Sequence, residues 1–578
     1  MPRDLAISLG QHSDRGRKPV NQDFHGAVIP AEPALGLKGI AVALADGISS
    51  SEVGRVAAES AVKSFLTDYY CTSDAWSVKT SAQRVIAAIN SWLHAQTRRS
   101  IHAYDHDKGY VCTLSVMVLK SLTAHIFHIG DARVCRVVGD TLDQLTDDHR
   151  VVVSSEQVYL GRALGVGPQI EIDYCTVALE RGDVFVLATD GVAEHVGAKF
   201  IVGAIRDHAA DLDRAARAIT EEALRRGSPD NLTVQIVRID QLPDGAAADV
   251  VGQGSDLPMP PLLEPRMVFD GFRIVRQLHA SHRSHIYLAV DTDDDRLVAL
   301  KIPSIDLRDD PAYVRRFKLE EWVARRLDSP HVLKPSPPAR RRGFLYVVNE
   351  FIDGQTLTQW MRDNDRPALE TVRGLVVQIA RGLQAFHRKE MLHQDLRPDN
   401  VMIDRTGTVK IIDFGATRVA GVAEAAPSTP AGEILGTQQY AAPEYFLGEA
   451  PTTASDIYSL GVITYQMLTG RLPYGAEMAK ATTRAAQSRV RYRSARDDDH
   501  PVPDWIDGAL RKAVQFDPRR RYAELSEFVH DLHHPNKAFA DQPTPLIERN
   551  PLLFWKALSL LLACALLVTL IVLHGGKH

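Results

Sequence analysis

His393-Gln394-Asp395-Leu396-Arg397-Pro398-Asp399-Asn400 is followed along the chain by Asp413-Phe414-Gly415 and then by Ala442-Pro443-Glu444. Each piece is unremarked alone, and their order decides how the second half of the chain is read. Upstream, Val298-Ala299-Leu300-Lys301 reads as a strand and precedes a helical pattern that contains Glu320. Strand-like runs at Phe272–Ala289 and Val298–Ile302 come first, and mostly helical patterns follow Leu369. A small β-rich lobe is therefore expected ahead of a larger helical one.

The first half has a different rhythm. Strand-like runs occur at Gly39–Ala45, Cys112–Leu119, Thr123–Ile129, Val184–Ala188 and Leu232–Ile239, and helical patterns at Glu52–Tyr69, Ser81–Arg98 and Leu212–Arg225. Strands adjoin through short turns, notably Lys120–Leu122, which predicts an α+β fold with antiparallel sheet. Acidic residues recur at strand ends: Asp46-Gly47, Asp131, Asp190-Gly191 and Asp230-Asn231. Carboxylates and a backbone carbonyl, without Cys or His at ligand spacing, select hard Mg²⁺ or Mn²⁺ over zinc. Taken singly, each Asp-Gly is more often a turn than a ligand, and spacing alone leaves both readings open.

The whole chain of 578 residues, 45% hydrophobic and 24% charged, is long enough for several folded units. Its 67 basic and 72 acidic side chains leave a formal charge of −5, so nucleic acid is not an expected partner. Cys71, Cys112, Cys135, Cys175 and Cys564 form no C-x-x-C pair, which fits a reducing compartment. Between Gln241 and Arg266 the sequence turns rich in Pro, Gly, Ala and Asp and reads as a linker, and Pro535–Asn550 reads as a tether. Ala557–Leu573 is a run of seventeen uncharged residues, eleven of them Leu, Ile or Val, and predicts a transmembrane helix that holds the catalytic parts on the cytoplasmic side. The N-terminus has no apolar region of a secretory signal. The expected divisions are a first domain over 5–240, a linker over 241–266, a second domain over 268–533, a juxtamembrane tether over 535–550 and a membrane helix over 552–573.

The ordered set Asn21-Gln22-Asp23, Ala45-Asp46-Gly47, His128-Ile129-Gly130-Asp131-Ala132-Arg133, Leu145-Thr146-Asp147-Asp148-His149, Ala188-Thr189-Asp190-Gly191 and Pro229-Asp230-Asn231-Leu232-Thr233 resembles the metal-dependent protein phosphatases of the PPM, or type 2C, family. The resemblance implies an antiparallel β-sandwich flanked by helices and a binuclear Mg²⁺ or Mn²⁺ site. It implies Asp46, Asp190, Asp230 and the Gly47 carbonyl as ligands, Asp23 supporting metal-bound waters, and Asp131 serving a further metal. Arg17 and Lys18 stand where a substrate phosphate is expected. Gln22 replaces an acid of the family pattern, Lys18 an Arg, and Ser49-Ser50 a pair of glycines.

The second half resembles a bilobal protein kinase over about residues 270–533, extended by Asp456-Ile457-Tyr458-Ser459-Leu460-Gly461 and Arg521. The resemblance implies that Lys301 holds ATP phosphates and pairs with Glu320, that Asn400 and Asp413 bind Mg²⁺, and that Asp395 accepts the substrate hydroxyl proton. Arg397 stands where serine/threonine kinases usually carry Lys, and Arg521 is expected to pair with Glu444. Gln394 replaces an Arg that clamps an activation-loop phosphate in many kinases, so phosphorylation at Ser428, Thr429 or Thr437 is not the expected main switch. The phosphate loop, Leu278-His279-Ala280-Ser281-His282-Arg283-Ser284-His285-Ile286, lacks all three family glycines. Either its Ser hydroxyls and Arg283 contact phosphate, or it is a solvated polar hairpin turn.

Together these readings give a membrane-anchored kinase and phosphatase acting on phosphoproteins, with self-phosphorylation and self-dephosphorylation through a long tether. The alternative is an active phosphatase regulated or localised by a nucleotide-sensing pseudokinase.

Overall fold

The computed structural model describes residues 4–105, 108–154, 157–243, 257–281, 283–307, 310–336, 340–424, 438–496, 502–540 and 551–575. In the first domain one sheet runs in the order β1 (Ala6–Asp14), β12 (Leu232–Gln241), β11 (Val184–Ala188), β6 (Arg133–Val138), β7 (Thr141–Gln144). The other runs β10 (Asp173–Ala178), β5 (Thr123–Ile129), β4 (Leu114–Lys120), β3 (Ile40–Asp46), β2 (Asp23–Val28), and all pairings are antiparallel. The period-two alternation of β3 explains the layering. Ile40, Val42 and Leu44 meet Phe185, Leu187 and Val237 between the sheets. Ala41, Ala43 and Ala45 face outward, where their small side chains admit the helices Gly54–Cys71 and Val78–Arg99. The helix Leu212–Arg225 covers the other sheet with Leu212, Ala215, Ala216, Ile219 and Ala223, and Asp211 caps it by accepting from Arg214 N.

The second domain opens with a sheet of order β13 (Val268–Phe269), β14 (Phe272–Ala280), β15 (Ser284–Asp291), β16 (Leu297–Pro303), β17 (Val347–Glu350), beside the helix Pro311–Ala324. The stretch read as strand-like over Phe272–Ala289 is thus a hairpin. The helical lobe is built around Leu369–His387 and Thr453–Thr469, whose Phe386, Ile457 and Ile463 share one core with Leu510 and Phe528. A reciprocal pair of side-chain bonds between Thr452 and Ser455 starts the second helix, and left-handed Gly470 ends it.

Of the expected linker, 244–256 lies outside the described residues. The part that follows packs on the small lobe: Leu257 lies against Phe317, Leu345 and Val347, Leu345 N donates to Pro258 O at 2.9 Å, and Leu263 is buried. Of the expected tether, 541–550 lies outside the described residues, as do Ser428, Thr429, Thr437 and His282. A helix forms over Pro551–Gly575, with side chains described from Leu552 to Leu566. Among the described residues no helix is long and apolar enough to cross a membrane, so the transmembrane helix expected over 552–573 has no support in the structure.

Two candidate active sites

Four acids gather at one end of the sandwich because four strand ends meet there. Asp23 opens β2 and pairs in register with Asp46, the last residue of β3. Asp190 follows β11, and Asp230 precedes the neighbouring β12. Thr189 Oγ1 and Thr233 Oγ1 donate to Asp23 Oδ2 at 3.0 and 2.7 Å, while Asp23 Oδ1 and Asp190 Oδ1 are buried without a hydrogen-bond partner. Burial pushes Asp23 up to about 6, with the Asp230 charge adding to it. Burial, then Asp23 and Asp190, drive Asp46 well above the carboxylate range, and burial with Asp131 and Asp230 lifts Asp190 to about 7. The Gly47 backbone passes so close to the next helix that a Cβ would lie 2.3 Å from Gly54 O.

Hard oxygen donors, two of them orphaned and buried, and acids that disfavour one another's charge fit Mg²⁺ or Mn²⁺ in donor chemistry. Among the described residues no group of three or more His, Cys, Asp and Glu is arranged to hold a metal ion. Side-chain cations reach three of the acids, Asp131, Asp190 and Asp230. Lys18 Nζ lies 3.3 Å from Asp230 Oδ1 and donates to Ser49 Oγ at 2.9 Å, so a serine that replaces a family glycine holds the substituted lysine. Arg17 is exposed. Arg150, at the start of the β8 (Arg150–Ser154) and β9 (Gln157–Leu160) hairpin, contacts Asp131 at 2.8 Å, Asp190 at 3.0 Å, and Glu194. Sequence reading missed Arg150, because only the tertiary fold carries it to the acids. Gln22 spends its amide on Ser51 O at 2.7 Å, which ties the Asn21-Gln22-Asp23 turn to the loop after Gly47.

In the second domain Lys301 projects from β16 and meets Glu320 of the helix Pro311–Ala324 at 2.6 and 2.7 Å, with Asp413 Oδ1 3.6 Å away. Burial opposes the Lys301 charge, but Asp413 and Glu320 outweigh it and hold the ammonium above its usual range. Burial pulls Glu320 the other way, up to about 7. The two short contacts to Lys301 favour an ionised Glu320, against burial and the Asp413 charge. Asn400 Nδ2 donates to Asp395 O at 2.9 Å and to Asp395 Oδ2 at 3.2 Å, and Arg397 Nε lies 4.0 Å from the same carboxylate. The approach to Asp395 is fixed from below: buried Asp456 accepts from His393 N at 3.0 Å and Gln394 N at 3.1 Å, which holds Gln394 at φ +65°.

The glycine-free hairpin between β14 and β15 uses its serine internally. Ser281 Oγ accepts from Arg283 N and Ser284 N at 3.3 and 3.1 Å and donates to Ser284 O at 3.1 Å. Arg521 and Glu444 pair at 2.7 and 2.9 Å with side chains 0% and 1% exposed, as the sequence led us to expect. Arg521→Ala strands the buried Glu444 carboxylate and is expected to cost the kinase lobe about 3–5 kcal/mol, read from urea unfolding. A loss below about 1 kcal/mol would place that pair among exposed ones.

Residues 272–535 match the protein kinase domain and residues 11–234 match protein phosphatase 2C. The serine/threonine-protein kinase PknA of Corynebacterium glutamicum is 34% identical over 43% of this chain and 52% of its own length, and PrkC of Bacillus subtilis is 29% identical over 45% and 40%. The chain thus spans about half the length of the curated relatives it matches. Among solved structures, the PknI kinase domain of Mycobacterium tuberculosis is similar at 25% identity over 47% of this chain and 99% of its own, with a TM-score of 0.36. The serine/threonine phosphatase PstP of the same organism is similar at 22% over 41% and 100%, with a TM-score of 0.35. The chain joins a protein phosphatase 2C domain to a protein kinase domain.

Proposed function

We propose that this chain is a bifunctional enzyme of phosphoprotein signalling, a protein serine/threonine kinase and a phosphoserine/phosphothreonine phosphatase in one. The observation that carries the reading is the joint presence of Lys301 on Glu320 and Asp413, Asn400 on Asp395, and the acid cluster of Asp23, Asp46, Asp190 and Asp230. In the kinase, Lys301 would orient ATP phosphates, Asp413 and Asn400 would offer oxygens to Mg²⁺, Asp395 would take the hydroxyl proton, and Arg397 would keep positive charge near the transferring group. In the phosphatase, Asp46, Asp190, Asp230 and the Gly47 carbonyl would hold Mg²⁺ or Mn²⁺, with Asp23 behind them and Asp131 available to a further ion. Such ions supply an acidified water and neutralise phosphoryl oxygens. Lys18 and Arg17 are positioned by sequence to hold the substrate phosphate.

A second reading, in which the kinase domain only senses nucleotide, is favoured by the Ser281 hydroxyl, which is already spent within the turn. One experiment separates them. The full chain is given ATP, Mg²⁺ and a protein substrate, and separately a phosphothreonine peptide with Mn²⁺ or with chelator. Transfer together with hydrolysis that chelator abolishes supports the bifunctional reading. Hydrolysis without transfer supports the second, and full hydrolysis in chelator contradicts the metal assignment. Attachment of the Pro551–Gly575 helix to a membrane, with the catalytic domains in the cytoplasm, is proposed from the uncharged run Ala557–Leu573 and the exposure of Leu552, Leu560, Leu561 and Leu566.

A further inference from the structure

The helix Val78–Arg99 of the phosphatase begins on the kinase. Its first amides need acceptors beyond its own Ser77 cap, and two kinase carboxylates provide them. Ser77 N and Oγ donate to Glu390 Oε2 at 2.7 and 2.9 Å, and Thr80 Oγ1 donates to Glu390 Oε1 at 2.6 Å. Val78 N donates to Glu424 Oε2 at 3.0 Å. Negative charge from another domain thus sits where the helix dipole favours it.

The loop before that helix enters the kinase core. Ala75 is fully buried among Phe386, Met391, Val419 and Val422. Trp76 Nε1 donates to Arg388 O at 3.0 Å, Asp74 pairs with Arg326 at 3.0 Å, and Gly421 N donates to Ala75 O at 2.9 Å. A Cβ at 421 would lie 2.6 Å from Trp76 O and 2.7 Å from Asp74 O. At the end of β4, Lys120 is 1% exposed, donates to Gly421 O at 2.6 Å and lies 3.3 Å from Glu424 Oε2. Burial draws the Lys120 pKa down and the Glu424 pKa up, the signature of a pair desolvated by the contact.

The kinase segments held here are those that frame its chemistry. β22 (Arg418–Val419) and the helix Ala420–Ala423 follow Asp413-Phe414-Gly415, and Glu390 precedes β19 (Met391–Leu392), which leads to Asp395. Arg326 follows the helix that carries Glu320. We infer that the loop Thr72–Ser77 and Lys120 form an intrachain docking surface whose partner is the start of the kinase activation segment, and that the phosphatase domain braces phosphotransfer independently of its own chemistry. The acid cluster is at the other end of the sandwich. Ile40 pairs with Leu119 beside the dock, and about 20 Å of strand separates it from Asp46 at 3.3 Å per residue. The effect on rate rests on the kinase reading, and the docking does not.

Two variants of the full chain test this. Gly421→Ala improves helix propensity within the kinase and meets an obstacle only across the contact. Glu390→Gln keeps the volume and removes the capping charge. Hydrogen exchange over residues 418–424, transfer from ATP, and Mn²⁺-dependent hydrolysis of p-nitrophenyl phosphate are measured on each. Exchange is expected to quicken, and transfer to fall, by about tenfold, the loss of one or two buried hydrogen bonds, with hydrolysis within about twofold of the parent. Unchanged exchange in both variants overturns the docking. Faster exchange with undiminished transfer overturns the brace, and hydrolysis lost in both variants overturns the independence of dock and acid cluster. A parent chain without transfer counts against the kinase reading, while exchange still decides the docking.

Discussion

Lys301→Met is expected to lower phosphotransfer from ATP on the order of 10²–10³-fold, the scale of losing one preorganised group that meets developing charge. Methionine retains the length and apolar stem of lysine, so the change removes the ammonium and little packing. Glu320, 8% exposed in its side chain and already lifted by burial to about 7, then loses its nearest cation and takes up a proton at neutral pH. The helix Pro311–Ala324 loses its tie to β16, while the phosphatase acids, in another domain, keep their surroundings. Transfer to a protein substrate, with hydrolysis as the control for folding, checks this. Transfer within about tenfold of the parent would contradict the role given to Lys301.

Asp190→Asn is expected to cut Mn²⁺-dependent hydrolysis roughly a hundredfold, about 3 kcal/mol of charge stabilisation. Asparagine keeps the shape and removes the anion whose Oδ1 is buried without a partner. Arg150 retains Asp131 and Glu194, so the fold should survive. Asp230→Asn should behave alike, with Lys18 losing its carboxylate partner. Binding has its own readout: Mn²⁺ should raise the Tm of the parent by relieving repulsion among the acids, and raise that of either variant much less. Equal shifts in parent and variants would remove Asp190 and Asp230 from the ligand set.

In the first domain the strands that sequence located were the doubly buried ones. β3, β4, β5, β11 and β12 have apolar residues on both faces and stand out as runs. β1 and β2, Ala6–Asp14 and Asp23–Val28, mix His, Ser, Gln and Asp into half-exposed edge strands, and their pattern is too weak to read alone. The site acids were legible because ordered motifs marked them, and Arg521 on Glu444 because both ends lay within such motifs. Arg150 had no local signal. The linker misled in one respect: its composition suggested a free tether over 241–266, yet Leu257–Leu263 packs on the kinase and the two domains meet through Ala75 and Lys120. Self-dephosphorylation argued from tether length assumes freely moving domains, and the dock lies at the end of the sandwich away from the acids.

The claim that the kinase domain of this chain transfers phosphate is tested most directly by intact mass after incubation with ATP and Mg²⁺, on Asp190→Asn alone and combined with Lys301→Met. The account predicts added phosphate on the kinase domain of Asp190→Asn and none on the double variant. No phosphate gained by Asp190→Asn, or the same gain in both proteins, would contradict it.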